Sequence, residues 1–146
     1  MSELTQSGNS ENLYQQVREI LSSARDTAWR AVNTAMVSAY WEVGRAIVEE
    51  EQRGAERAEY GEYIVRNLSS RLTKEFGKGY TARNLWYMRD FYNTFPNVNA
   101  VRSQLTWTHY RLLLRIENPQ ARAFYEKESV ASRWSTRELL FVGDGV

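Results

Sequence analysis

A length of 146 residues, 42% of them hydrophobic and 25% charged, suits one folded domain with a core of its own. The absence of cysteine and a single histidine exclude disulfides, thiolate metal sites, cysteine nucleophiles and most zinc sites. The net charge of +1 hides an asymmetry: residues 66–116 hold nine Lys/Arg against two Asp/Glu, whereas residues 1–65 hold six against eleven.

Residues 1–9 are polar and read as a disordered tail. They carry neither the basic nor the apolar region of a signal peptide, and no later run approaches the ~18 apolar residues that span a membrane. With the missing cysteine, this points to a cytoplasmic protein. A single helical domain is expected over 10–142, opened by Ser10 as N-cap. From Leu13 through Val17, Ile20, Leu21, Ala24, Ala28, Val32, Met36, Tyr40, Val43 and Ile47, apolar residues recur at steps of three and four. That is one long helix, or a helical hairpin broken at Ser22-Ser23. A stripe of this length needs cover, and a homodimer through residues 13–47 would supply it. The three carboxylates Glu49-Glu50-Glu51 point around the helix and read as solvated charge.

Residues 54–61 form a polar link. The next helix, about 62–76, places Ile64, Val65, Leu68, Leu72 and Phe76 on one face and Arg66, Asn67, Ser70, Arg71 and Lys74 on the other. Gly77-Lys78-Gly79 stops it. Thr81 then caps a helix whose Leu85, Met88, Tyr92 and Phe95 face inward, with Tyr80 stapled to Leu85 and Pro96 at the exit. In the tail, Thr106 caps a helix through Ile116. Asn118-Pro119 opens another, carrying Phe124, Tyr125 and Val130. Ser135 and Glu138 form a capping box inside a Trp134–Leu139 staple. No segment shows strand alternation, so the fold class is all-α: a long N-terminal helix or helical hairpin, then short helix-turn-helix-like helices.

Little here carries catalysis. His109, at the third position of its helix, reads as a surface or capping residue. There is no glycine-rich phosphate loop on a strand and no acidic cluster suited to two metals. No cofactor and no metal are expected. Nucleic-acid binding fits better. Residues 62–95 offer a supporting helix, a tight turn and a second helix with Arg83 and Asn84 in its first turn. Arginine reads guanine and asparagine reads adenine through paired hydrogen bonds. Arg66, Arg71, Lys74 and Lys78 lie where they can hold phosphates, and Arg89 of that second helix is a further candidate nucleic-acid contact. The aromatic residues Trp29, Tyr40 and Trp41 belong with the first helix as core; Trp86 and Tyr87 pack in the core or an interface, or stack on bases.

Three strings carry a resemblance: 28-AWRAVNTAMVSAYWEVGRAI-47, 68-LSSRLTKEFGKGYTARNLWYMRDFYNTFP-96 and 105-LTWTHYRLLLRIENPQARAFYEKESVASRWSTREL-139. They resemble the N-terminal domain of the bacterial YhcG-type proteins over about residues 15–140. The matching positions are Asn33, Tyr40, Trp41, Gly44, Arg83, Asn84, Leu85, Met88, Arg89, Phe91, Tyr92, Trp107, His109, Trp134, Ser135 and Arg137. The resemblance implies a domain that binds DNA and precedes a PD-(D/E)XK nuclease-like domain. The nuclease residues are not among these 146, so no cleavage is expected of this chain. The tail, 108-THYRLLL-114 with Asn118-Pro119 and 134-WSTREL-139, also resembles the ParB-type helix-turn-helix, which implies Arg111, Arg115 and Arg137 as further DNA contacts.

The reading is a DNA-binding helical domain, dimeric, that positions an associated nuclease or partner on DNA. The competing reading is a helical oligomerisation or protein-interaction module of a defence or toxin–antitoxin system.

Overall fold

A computed structural model describes residues 2–54, 59–97 and 105–143. Residues 55–58 of the polar link lie outside the described residues. The described residues form six helices and no strand: α1 (Ser2–Arg53), α2 (Tyr60–Phe76), α3 (Ala82–Thr94), α4 (Trp107–Leu113), α5 (Pro119–Ala131) and α6 (Thr136–Gly143). The long first element is therefore helix through Ser22-Ser23, without the hairpin break. It begins at Ser2, ahead of the Ser10 cap that the sequence pointed to. No helix among the described residues is long and apolar enough to cross a membrane.

The chain divides into two units, Met1–Asn33 and Thr34–Val146. In the first, Leu13, Tyr14, Val17, Ile20, Leu21, Trp29 and Val32 of the apolar stripe are all exposed among the described residues. Trp29, expected in the core, is 57% exposed. A helical period says which residues share a face, not what lies over that face.

The second unit holds the core. Val37, Trp41 and Ile47 of α1 are buried, as are Leu85, Met88, Phe91 and Phe95 around α3. Gly44 explains how the two helices meet. A β-carbon there would fall inside contact distance of the Met88 carbonyl and crowd the Tyr92 Cβ, so only glycine lets the backbones approach this closely. Trp41 Nε1 donates to the Phe95 carbonyl at 2.7 Å, tying α1 to the end of α3. On one side of this seam Ile47, Val65, Leu85 and Met88 pack together. On the other, Val37, Trp41, Phe91 and Phe95 join Leu105, Tyr110 and Leu113 near α4, Tyr125 of α5 and Leu139 of α6. Three residues of the expected apolar faces are outside: Phe76 is 61% exposed, Phe124 56% and Val130 39%, while Ser129 takes an inner position of α5.

The short helices start where their caps dictate. Thr81 accepts from the Asn84 amide, Asn118 from the Gln120 and Ala121 amides, and Ser135 and Glu138 reciprocate. Thr106 does the same with an unusual partner, because His109 stands where a capping box carries Glu or Gln. The Thr106 amide donates to His109 Nδ1 at 3.1 Å, and His109 Nε2 donates to the Trp134 carbonyl at 2.7 Å. His109 is thus a buried cap that also fastens the start of α4 to the turn before α6. Between α5 and α6, the Arg133 and Trp134 amides return to the Val130 and Ser129 carbonyls, a Schellman end. Its left-handed position is held by Arg133 at φ 51° rather than by glycine.

Candidate nucleic-acid interface

The turn between α2 and α3 is built from Gly77 (φ 82°) and Gly79 (φ 108°), conformations that side chains resist. It is braced from both sides. Ser69 Oγ of α2 donates to the Tyr80 carbonyl at 2.7 Å, and Asn84 Nδ2 donates to the Gly79 carbonyl. The other end of the same amide, Asn84 Oδ1, accepts from Trp107 Nε1 of α4 at 3.1 Å. Asn84 therefore has a structural role: it locks the turn and docks α4. The sequence placed it among the base-reading residues, but both ends of its amide are engaged within the protein.

Arg89 is also drawn inward. Its Nε lies 2.7 Å from Glu51 Oε1 of α1, with both side chains largely shielded. The N–H does not point along the line between them, so the contact is an ion pair rather than a straight hydrogen bond. The same guanidinium rests on the Trp86 ring, 4.9 Å from its centroid. The acidic run that ends α1 is accordingly not plain solvated charge. Glu49 pairs with Arg45, Glu50 accepts from Tyr60 and Arg53, and Glu51 holds Arg89. The Tyr60 hydrogen bond holds the Glu50 carboxyl below its usual pKa against the opposing effect of burial, with Arg53 adding to the lowering. Arg66 pairs with Glu62 at 2.8 Å, one turn away and in solvent.

The remaining cations behave differently. Among the described residues, no carboxylate lies within ion-pair distance of Arg71, Lys74, Lys78, Arg83, Arg111, Arg115 or Arg137. Two of them, from different helices, converge. Arg83 in the first turn of α3 directs Nη2 and Nε to the Tyr87 hydroxyl at 3.2 and 3.3 Å. Arg111 of α4 lies over the Tyr87 ring, 4.6 Å from its centroid. The Arg83 hydrogen bond, and after it Arg111, hold the Tyr87 phenol below its usual pKa against the slight effect of burial. Tyr87 belongs to the site as much as the two arginines do. The sequence singled it out with Trp86 as a residue of the core, an interface or a base stack, not as a partner of two arginines. Asp90, on the same strip of α3, has its carboxyl raised by burial, with Arg89 opposing. No contact ties Arg115 or Arg137 to the Arg83–Arg111 pair, although both are exposed. No group of three or more metal-ligating side chains occurs among the described residues.

Helices α2 to α6 and the second half of α1 make up an all-helical domain. Residues 16–141 match the family described as the DUF1016 N-terminal domain, and the chain belongs to that family. A relative in Escherichia coli (strain K12), named "Putative nuclease YhcG", is 34% identical over 162 residues. The alignment covers 86% of this chain and 43% of the relative, so the chain spans less than half of that protein's length. No solved structure matches the chain.

Proposed function

We propose that this chain is a DNA-binding domain that holds duplex phosphates on its α2–turn–α3–α4 surface and positions an associated nuclease or partner there, without contributing catalysis itself. The observation that supports this reading is the split among the cations. Arg45, Arg53, Arg66 and Arg89 are paired with carboxylates, whereas Arg71, Lys74, Lys78, Arg83 and Arg111, in and beside the helix-turn-helix-like unit, are not. Unpaired guanidinium and ammonium groups from separate elements suit a polyanion, because neutralising each phosphate releases condensed counterions. Arg115 and Arg137 extend the same reading to the turn after α4 and to α6.

The contacts in this reading are to backbone rather than to base edges. A helix that reads the major groove needs a wide free face. In α3, Leu85, Met88 and Phe91 are buried, Asn84 is engaged, and Arg83 and Asp90 are exposed on one narrow strip. The test is a salt titration of duplex binding. Six phosphate contacts give a log–log slope of about −5. Absence of binding even at low salt would remove the reading in favour of an interaction module.

The bare stripe of α1 supports a second part of the reading, self-association through a copy of the same helix. The stretch available is narrower than residues 13–47, because Val37, Trp41, Gly44 and Ile47 are buried in the chain's own core. Light scattering over a range of concentrations tests it, with a dimer expected and a monomer throughout contradicting it.

A further inference from the structure

We infer that Arg83, Tyr87 and Arg111 form a seat for a single phosphate group, in which the Tyr87 hydroxyl is a hydrogen-bond donor to the phosphate and the two guanidiniums flank it. The inference deepens the DNA-binding reading by naming the place where one phosphate is fixed.

The hydroxyl's own chemistry carries the argument. A phenol oxygen accepts hydrogen bonds and has one proton to give. At Tyr87 the accepting side is occupied, because Arg83 Nε and Nη2 both point at it, at 3.3 and 3.2 Å. Neither arginine can accept the phenol's proton, since a guanidinium has donors only. Among the described residues no protein group accepts it, so the O–H is left to donate outward. Each guanidinium has further N–H groups that Tyr87 does not use. Arg83 is exposed, and Tyr87 and Arg111 are half-buried. The result is a small surface with only donors turned outward and two positive charges, and without a described carboxylate pairing either arginine. Two like charges held beside one ring repel each other, and an anion between them relieves this. A tetrahedral phosphate, with several acceptor oxygens and negative charge, matches that donor set.

The site also differs from an ordinary surface arginine pair in being prearranged. Arg111 is held over the ring face and Arg83 at the hydroxyl, so Tyr87 fixes the spacing of two cations carried by different helices. The ring carries Arg111, whereas the hydroxyl both holds Arg83 and has a proton left for the ligand.

The test uses Tyr87→Phe, which keeps the ring and removes the hydroxyl, with circular dichroism to confirm an unchanged helical fold. Inorganic phosphate is first titrated against the wild type, following the arginine side-chain N–H signals by NMR. Saturable shifts at Arg83 and Arg111, weakened about tenfold in apparent affinity in Tyr87→Phe, support the seat; no shift at those arginines overturns it. Three duplexes follow: a covalently closed circle, a linear duplex with 5′-phosphates, and the same duplex with 5′-hydroxyls. Equal wild-type affinity for all three assigns the seat to internal phosphodiesters, and a preference for 5′-phosphate ends assigns it to terminal phosphates. In either case Tyr87→Phe is expected to bind several-fold more weakly with an unchanged salt slope, because no charge is lost; unaltered affinity contradicts the inference. Phosphate shifts without any duplex binding would leave the seat standing and remove the DNA-binding reading instead.

Discussion

The two faces of α3 carry arginines six residues apart with opposite fates. Arg89 is held by Glu51 and lies on Trp86, on the side where α3 meets α1. Arg83 faces out, its guanidinium beside a tyrosine and near a second arginine, with no described carboxylate pairing it. The same residue type serves packing in one place and leaves charge free in the other. What decides is the neighbour brought by the fold, since a guanidinium against a carboxylate largely cancels its own field, whereas two guanidiniums sharing a phenol reinforce theirs. A basic count over residues 66–116 could not make this distinction, because it weighs Arg89 and Arg83 alike.

The inner face is the more sensitive to change. Gly44→Ala would force α1 and α3 apart where Gly44 meets the Met88 carbonyl. The expected loss is about 2–3 kcal/mol or more in chemical denaturation, as for other overpacked seams. A variant as stable as the wild type would show that the close approach is not required. Replacing both Arg83 and Arg111 by alanine should leave the midpoint of thermal unfolding nearly unchanged and weaken duplex binding by about tenfold at moderate salt, since both guanidiniums that flank the seated phosphate are lost. Arg89→Ala should do the reverse. It leaves Glu51 partly buried without its partner, at a cost of about 1–2 kcal/mol after discounting for the exposed third of the pair, with little effect on binding. If Arg89→Ala and Arg83→Ala behave alike in both assays, the distinction between the faces fails.

Two smaller effects sharpen the picture. Arg133→Gly relieves a left-handed residue at the end of α5 and should stabilise by about 0.5–1 kcal/mol, the difference between the strain removed and the chain entropy added. Asp90→Asn removes a negative charge from the outer strip of α3 and should tighten duplex binding by about two- to threefold at low salt, an effect that fades as salt screens it.

Much of the fold was legible because its signals are local. Thr81, Thr106, Asn118 and Ser135 each act on amides within three residues, so their caps follow from spacing alone. What failed to read was contact across the sequence. Asn84 looks like a base-reading residue until Trp107, 23 residues on, takes its carbonyl oxygen. Glu51 looks solvated until α3 brings Arg89 to it. Phe76, Phe124 and Trp29 fall on apolar faces by period, yet all three are exposed among the described residues. Gly44, present only as one letter of a recurring motif, acquires its reason from a carbonyl on another helix. Of the candidate site, Arg83 and the cations Arg71, Lys74 and Lys78 were visible as charge on exposed positions. Arg111 came from the likeness of the tail, and the link through Tyr87 depends on α4 being folded against α3.

The salt dependence of duplex affinity, measured side by side for the wild type and the Arg83→Ala/Arg111→Ala variant, tests the central claim most directly. The account predicts a wild-type log–log slope of about −5 and a variant slope shallower by about 1, the one phosphate contact that both arginines make accounting for about 0.9. Parallel lines of equal slope, or wild-type binding indifferent to salt, would contradict it.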